Sequence, residues 1–162
     1  QTLMTKYQNA AIRATIRDAY TRDPHNFNLV MPEMIGISGN ISLTSGVGAL
    51  PADCWVVLEC SKSDYSWYAW RIRENLLKVL AGRDGMIQPT ASKPAFYQTA
   101  TNLMVLPTTI TGVNAVISYV KLLADMTAGN STDIPISSYW DEEIVERMVA
   151  MGNADAKSSI AL

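Results

Sequence analysis

The sequence is poor in the residues that most catalytic and metal sites require. It contains one histidine, His25, and two cysteines, Cys54 and Cys60. A catalytic triad built on histidine would have to use His25, which lies in an Asp-Pro-His-Asn loop with no nucleophile motif beside it. The zinc-binding patterns HExxH and CxxC are both absent. We therefore expect a protein that is not an enzyme of a familiar class and that holds no metal and no cofactor.

The glycine-rich stretch 36–48 lacks the complete patterns of phosphate-binding and nucleophile loops. Gly46-Val-Gly48 is not followed by the third glycine of GxGxxG, and no GxxxxGK[ST] occurs in the chain. Gly36-Ile-Ser-Gly39 is one residue short of the GxSxG nucleophile elbow. A loop or an assembly arm is the better interpretation of residues 36–49.

The chain also lacks a basic excess and a long apolar run. Its formal net charge is -2, which disfavours general nucleic-acid binding, because such proteins neutralise phosphates with lysine and arginine. No apolar run approaches the roughly 20 residues that span a bilayer, so we expect a soluble protein. The chain begins with Gln1 rather than Met, so we expect a trimmed or processed start, and no signal-peptide pattern is visible.

Apolar residues are present in the proportion that a folded domain needs. Hydrophobic residues make up 48% and charged residues 17% of the 162 residues, which predicts a single globular domain over 1–162. Cys54 and Cys60 lie on one predicted strand, about 20 Å apart at 3.3 Å per residue, so they are too distant to pair. We expect two reduced thiols.

The order of apolar and polar residues predicts an α+β fold, in which a few helices pack with a small, mostly antiparallel sheet. Helices are predicted over 3–20, over 66–81 after a Ser63-Asp64 cap, and over 139–151 with Ser138 as the N-cap. Gly152-Asn153 can end the last helix, and in the C-terminal tail 152–162 the residues from Ala154 onward would either resume the helix or hang free. The predicted strands are 41–44, within the flexible loop 36–49, and 54–60, 95–98, 103–106 and 113–120.

The aromatic cluster Tyr65, Trp67, Tyr68 and Trp70 is the most unusual local feature, and Arg71 follows it. Core filling is one interpretation of the cluster. An anchor at a subunit interface is a second, because Trp, Tyr and Arg are enriched there. A sugar-binding platform is a third. With the apolar face of the last helix and the tail, the candidate interface residues are Trp67, Tyr68, Trp70, Arg71, Trp140, Ile144, Met148, Met151, Ile160 and Leu162.

The order of these segments is similar to that of a known family. Leu50-Pro-Ala-Asp53 leads into a buried strand, Val105-Leu-Pro107 ends a later one, and Ile117-Ser-Tyr119 lies in another. Asp133-Ile-Pro-Ile136 then precedes Tyr139-Trp-Asp-Glu-Glu-Ile-Val145 and a closing helix. From about residue 4 to 156 the chain resembles the head-to-tail adaptor (connector) proteins of tailed bacteriophages.

The resemblance implies a virion protein made in the host cytoplasm and located in the neck between capsid and tail. Such adaptors form a homo-oligomeric ring, usually of twelve copies, that joins the portal protein to a downstream tail or nozzle protein. The ring leaves a channel through which DNA passes without sequence-specific binding. On this chain, portal binding would fall to residues 139–151 and the tail 152–162, and neighbour contacts to 36–49 and the aromatic cluster.

Three other functions remain open. The chain could be another tail-completion or stopper protein of the virion. It could also be a small carbohydrate- or ligand-binding module that uses Trp67, Tyr68 and Trp70, or an enzyme with an unfamiliar site.

Overall fold

The computed structural model describes residues 3–72, 88–122 and 136–160. Two compact units are present, a helical unit of residues 1–35 and 122–162 and a β unit of residues 36–121. The described residues contain three α-helices, the last of them C-terminal, and a mixed, curled sheet of eight strands. The predicted α+β class is therefore confirmed.

Two long helices dominate the helical unit. Helix α1 spans Leu3–Arg22, as the helical spacing over 3–20 predicts, and α3 spans Asp141–Ile160. Hydrogen bonds join Tyr7 to Asp155 and Arg147 to Asp18, so residue numbers rise along one helix as they fall along the other. The two helices therefore run antiparallel. A short helix α2 at Phe27–Val30 and a 3-10 turn at Pro32–Met34 follow α1 along the chain.

The start of α3 differs from the prediction. A 3-10 turn at Ser138–Trp140 precedes the α-helix, and its cap is Ser137, whose side-chain oxygen accepts a hydrogen bond from the Tyr139 backbone N–H at 3.4 Å. Ser138 already lies inside the turn, so it cannot supply the non-helical backbone that an N-cap requires. The acidic residues Asp141, Glu142 and Glu143 do occupy the first turn of α3, where the helix dipole favours them.

The end of α3 also differs. The helix continues through Gly152 and Asn153 to Ile160, so most of the predicted tail is helical. Tyr7 lies against this turn, since a Cβ atom built on Gly152 would be 3.8 Å from the Tyr7 ring. The Tyr7 hydroxyl donates a 2.6 Å hydrogen bond to Asp155 one turn further on. Contacts from α1 thus support a stretch whose glycine alone predicts a stop.

The β unit contains the strands β2–β8 and most of β1. The strands are β1 Ile35–Ile37, β2 Ile41–Leu43, β3 Val47–Ala49, β4 Cys54–Lys62, β5 Tyr68–Arg71, β6 Ala95–Gln98, β7 Asn102–Leu106 and β8 Val113–Lys121. Their order across the sheet is β1-β8-β4-β5-β6-β7-β3, and β2 also pairs with β8. Only β5 and β6 are described as a parallel pair, so the predicted antiparallel character is confirmed.

The segment 36–49 is more regular than a flexible loop. The strand predicted at 41–44 is confirmed as β2, and a two-residue turn, Ser45-Gly46, joins it to β3. Both turn residues have positive φ, 50° and 75°, as a type I′ hairpin requires. Because β2 pairs with β8 and β3 pairs with β7, this hairpin links distant parts of the strand order and the sheet curls.

The prediction of a helix over 66–81 is wrong at its start, because Tyr68–Arg71 forms strand β5. Aromatic residues suit a pleated surface, and here two neighbouring strands provide the pairing. Ala69 pairs with Cys60 of β4, and Trp70 pairs with Ala95 of β6. Residues 73–81 of the predicted helix lie outside the described residues.

Among the described residues of the β unit, one apolar cluster forms the core. It is built mainly from alternate residues of the long strands and from Trp67, which is 9% exposed. The Gln98 side chain from β6 accepts from the Val57 N–H and donates to the Trp55 carbonyl, both at 2.8 Å. These bonds satisfy β4 backbone groups near a register shift between Val57 and Glu59. The cluster comprises Ile41, Leu43, Val57, Cys60, Trp67, Phe96, Leu103, Val105, Ile110, Ala115, Ile117 and Tyr119.

Candidate interaction surfaces

The predicted interface residues fall into three groups in the structure. Trp67, Trp140 and Ile144 are buried, so they support the fold from inside. Met148 and Met151 are half-buried on α3, and Ile160 is its last residue. Tyr68, Trp70 and Arg71 are exposed on β5. Leu162 lies outside the described residues.

The first candidate site is an aromatic surface made of Tyr65, Tyr68 and Trp70. Tyr68 and Trp70 are two residues apart on β5 and so share one face of the strand. Tyr68 is 66% exposed and Trp70 is 37% exposed. The ring of Tyr65 stacks on that of Tyr68, with centroids 6.3 Å apart and planes at 29°. A stacked pair of this size can receive a flat apolar or aromatic group from a partner.

A braced turn holds Tyr65 in place at the edge of this surface. Tyr65 has φ 57°, a conformation that is rare for a bulky residue. Its backbone N–H donates to the Lys62 carbonyl at 2.8 Å, and the Asp64 carboxylate accepts from the Ser66 N–H at 2.9 Å. The Lys62 ammonium lies 2.8 Å from the same carboxylate. Together Lys62, first, and then Ser66 hold the pKa of Asp64 well below its usual value.

The second candidate site is a helical groove on the helical unit. It is open to solvent, has a volume of about 490 Å³, and its described lining is apolar apart from the Tyr7 hydroxyl. Leu3 and Met4 are 61% and 70% exposed, and Val145 and Val149 are each 56% exposed. Contiguous exposed apolar side chains of this kind mark places where proteins meet partners. The described lining residues are Leu3, Met4, Tyr7, Val145, Met148 and Val149.

Ion pairs fix the two helices that form the groove. The guanidinium of Arg147 lies 2.6 Å from both Glu143 on its own helix and Asp18 on α1. Glu143 also lies 3.6 Å from Arg22 at the end of α1. The pKa of Arg147 is raised, first by Glu143 and then by Asp18, so the group remains charged. The α1–α3 pair is therefore a preformed support, and the groove does not have to be assembled by a partner.

The two cysteines lie on β4 as free thiols, Cys54 half-buried and Cys60 buried. Burial raises the pKa of Cys60 to about 12, and burial together with the nearby Asp53 raises that of Cys54 to about 11. A thiolate, rather than a thiol, is the nucleophile and the metal ligand. Both groups are therefore suited to a structural role at neutral pH.

We expect the native thiols to react slowly with a disulfide reagent at pH 8 and both to react rapidly after unfolding in urea. The native pKa values exceed the unfolded value of 9.0, so the thiols of the folded protein stay protonated to higher pH. The stability that this adds is fully present below pH 9.0 and is lost as pH rises through about 11 and about 12. Stopped-flow thiol titration measures the first effect, with Cys54→Ser assigning the half-buried group. Full reaction of both native thiols within the mixing time would contradict the prediction.

A metal site or a membrane span within the part of the chain that the structure describes would need residues of its own. Among the described residues, no group of three or more His, Cys, Asp or Glu side chains is arranged to hold a metal ion. His25 is exposed in the loop after α1. Of the helices that the structure describes, none combines the length and the apolar character that crossing a bilayer requires.

No protein-family model matches this sequence, and no curated protein matches it significantly.

Sequence reasoning missed part of both surfaces. At the last helix it selected Trp140 and Ile144, which are buried, and Met148, which is half-buried and lines the groove. Val145 and Val149, four residues apart, form a second apolar stripe beside these residues, and that repeat was the available signal. In the β unit, the sequence analysis grouped buried Trp67 with exposed Tyr68 and Trp70. It did so because it predicted a helix there, and only a strand places alternate residues on opposite faces.

Proposed function

We propose that this chain is a structural, non-enzymatic virion protein, one subunit of a neck adaptor ring in a tailed bacteriophage. In this role it joins the portal to a downstream tail or nozzle protein and leaves a channel for DNA. The observation that carries the proposal is the presence of two exposed surfaces, one aromatic and one aliphatic, on a chain with few candidate catalytic groups. A ring subunit needs at least two such surfaces, since it contacts copies of itself and other proteins.

The aromatic surface has the composition of an interface anchor. Tyr, Trp and Arg are the residues most enriched among those that dominate binding energy. Tyr68 and Trp70 share one face of β5, and the Tyr65 turn adds a third ring beside them. Arg71 is exposed next to Trp70 on the same strand. Rigid aromatic side chains lose little conformational entropy on binding. This surface therefore suits a stable contact with a neighbouring subunit or tail protein.

The resemblance to phage adaptors supplies the rest of the proposal. It implies a location in the neck of the virion, usually in twelve copies, and portal binding through residues 139–151 and 152–162. The net charge of -2 is compatible with a channel through which DNA slides, because a channel wall without a basic excess does not retain the DNA phosphates. A tail-completion or stopper protein would use the same surfaces one position further along the neck.

The decisive experiment mixes the purified chain with the portal protein of the same phage. Native mass spectrometry should show a portal-bound oligomer, and negative-stain images should show a ring at one end of the portal. Bovine serum albumin replaces the chain in the control and should leave the portal mass unchanged. A chain that never binds the portal at micromolar concentration would contradict the adaptor role. Binding to the assembled neck, but not to the portal, would favour the stopper.

A carbohydrate-binding module is the second candidate, and the stacked Tyr65–Tyr68 pair favours it. Exposed aromatic rings can lie against the apolar face of a sugar ring. Tryptophan fluorescence of the full chain, titrated with a panel of oligosaccharides, tests this through the neighbouring Trp70. A saturable change that Tyr68→Ala removes would support the module, and an unchanged spectrum across the panel would reject it.

A further inference from the structure

The rims of the helical groove carry opposite charges. On α3, Glu142 and Glu146 are four residues apart and lie beside the stripe of Val145 and Val149. Each glutamate precedes one of the two valines by three residues, so it lies next to that valine on the helix surface. Both carboxylates are exposed. This side of the groove is therefore an acidic rim.

The α1 side is basic. Lys6 lies three residues after Leu3, and Arg17 lies about three helical turns further on the same face. Both side chains are exposed. Over the whole of α1 there are four cations and one carboxylate, whereas α3 has five carboxylates and two cations. The α1 side of the groove is therefore a basic rim.

We propose that the helical groove is a contact between copies of this chain, in which the basic rim of one copy lies along the acidic rim of the next. The apolar lining would supply the attraction and the charged rims would fix the register. A second copy already carries what the groove needs, namely an apolar strip with cations on one side and carboxylates on the other. The reverse arrangement, in which equal rims meet, is opposed by like-charge repulsion.

The groove is preformed for such a contact. Arg147 ties Glu143 to Asp18, so these three charges are satisfied within one copy and do not compete for the neighbour. The rim charges Lys6, Arg17, Glu142 and Glu146 project from the other faces of the two helices. The contact deepens the proposed ring function, on which it rests, by naming the surface through which one subunit meets the next. It changes that function in one respect: the groove face of α3 meets the neighbouring copy, and portal binding falls to the remaining residues of 139–162.

Sedimentation equilibrium of the full chain, from micromolar to millimolar concentration, tests the contact without the portal. Self-association is expected, and E142K/E146K should weaken it about tenfold, a loss of about 1.4 kcal/mol. K6E/R17E should weaken it to a similar extent, since each double variant gives both rims the same sign. The chain with all four substitutions should associate as the natural chain does, because its rims are again complementary.

The apolar part of the contact is tested by Val149→Asp, with Thr109→Asp as the control. Both residues are exposed, and both variants add one negative charge, but Thr109 belongs to the β unit. Val149→Asp should weaken self-association at least about tenfold, and Thr109→Asp should leave it unchanged. Circular dichroism of each variant establishes that it is folded.

Two results would overturn the contact. One is a chain that stays monomeric up to millimolar concentration. The other is self-association that none of the rim variants weakens. Portal binding is measured separately on the same variants. Loss of portal binding with unchanged self-association would assign the groove to the portal. Absence of portal binding by the natural chain contradicts the ring function, whatever the rim variants do.

Discussion

Replacing Gly46 with alanine should lower the free energy of unfolding by about 2–5 kcal/mol, the sum of a backbone strain of about 1–2 kcal/mol and an overpacking cost of about 1–3 kcal/mol. Gly46 has φ 75°, a backbone conformation that alanine disfavours. A Cβ atom at this position would also meet the carbonyl oxygen of Val105, which is backbone and cannot rotate away. Gly46 exchanges two backbone hydrogen bonds of 2.7 Å, one with Ile110 and one with Val105, so neither partner can move freely.

Two other glycines separate the two parts of this effect. Gly112 has φ 66° but open space around its Cβ position, and Gly39 has open space and no positive φ. We expect Gly112→Ala to cost about 1–2 kcal/mol, from strain alone. Gly39→Ala should be nearly neutral. Urea denaturation of the three variants, followed by far-ultraviolet circular dichroism, measures the difference. Equal losses at Gly46 and Gly112 would show that the Val105 contact does not matter.

The parts of the fold that depend on local pattern were predictable from the sequence. Helix α1 follows from the apolar spacing of Ala11, Ala14 and their neighbours, and β4 from an apolar run bounded by turn residues. The strands β6, β7 and β8 lie within one residue of their predicted bounds, because turn residues separate them. Local signals are sufficient where the residues within an element and the turn residues beside it determine its bounds.

The parts that depend on distant partners were not predictable. Tyr68–Arg71 is a strand because β4 and β6 flank it, and no residue nearby in sequence reports that pairing. The last helix continues past Gly152 because Tyr7, at the other end of the chain, packs against it. The Ser45-Gly46 turn was hidden by the overall glycine and serine content of 36–48, although the pair Ser-Gly is itself a turn signal.

The candidate surfaces divide in the same way. The aromatic cluster was visible from composition, but the separation of buried Trp67 from exposed Tyr68 and Trp70 required the strand. The groove was harder to foresee, since it joins residues from both ends of the chain. Charge did carry information about it, because the cations of α1 and the carboxylates of α3 are evident in the sequence.

Trp67 and Tyr68 are adjacent in sequence, and we expect alanine at the two positions to have opposite consequences. Trp67→Ala should cost about 3–5 kcal/mol of stability, because a large side chain is removed from the core of the β unit. Tyr68→Ala should change stability by no more than about 0.5 kcal/mol, because the ring is largely in solvent. Each variant removes one aromatic side chain, but Trp67 lies in the core just before β5, whereas Tyr68 is exposed at the start of the strand.

The effect on assembly should be reversed. Tyr68→Ala should weaken the portal-bound oligomer about thirtyfold or more, since a central aromatic contact contributes about 2 kcal/mol or more to binding. Ser66→Ala, in the turn before β5, controls for a change near the aromatic surface that removes no ring. Thermal unfolding gives the stability of each variant, and native mass spectrometry with the portal gives its assembly. If Tyr68→Ala is both stable and fully assembled, the aromatic surface is not the subunit contact, and the ring must be held by other faces of the chain.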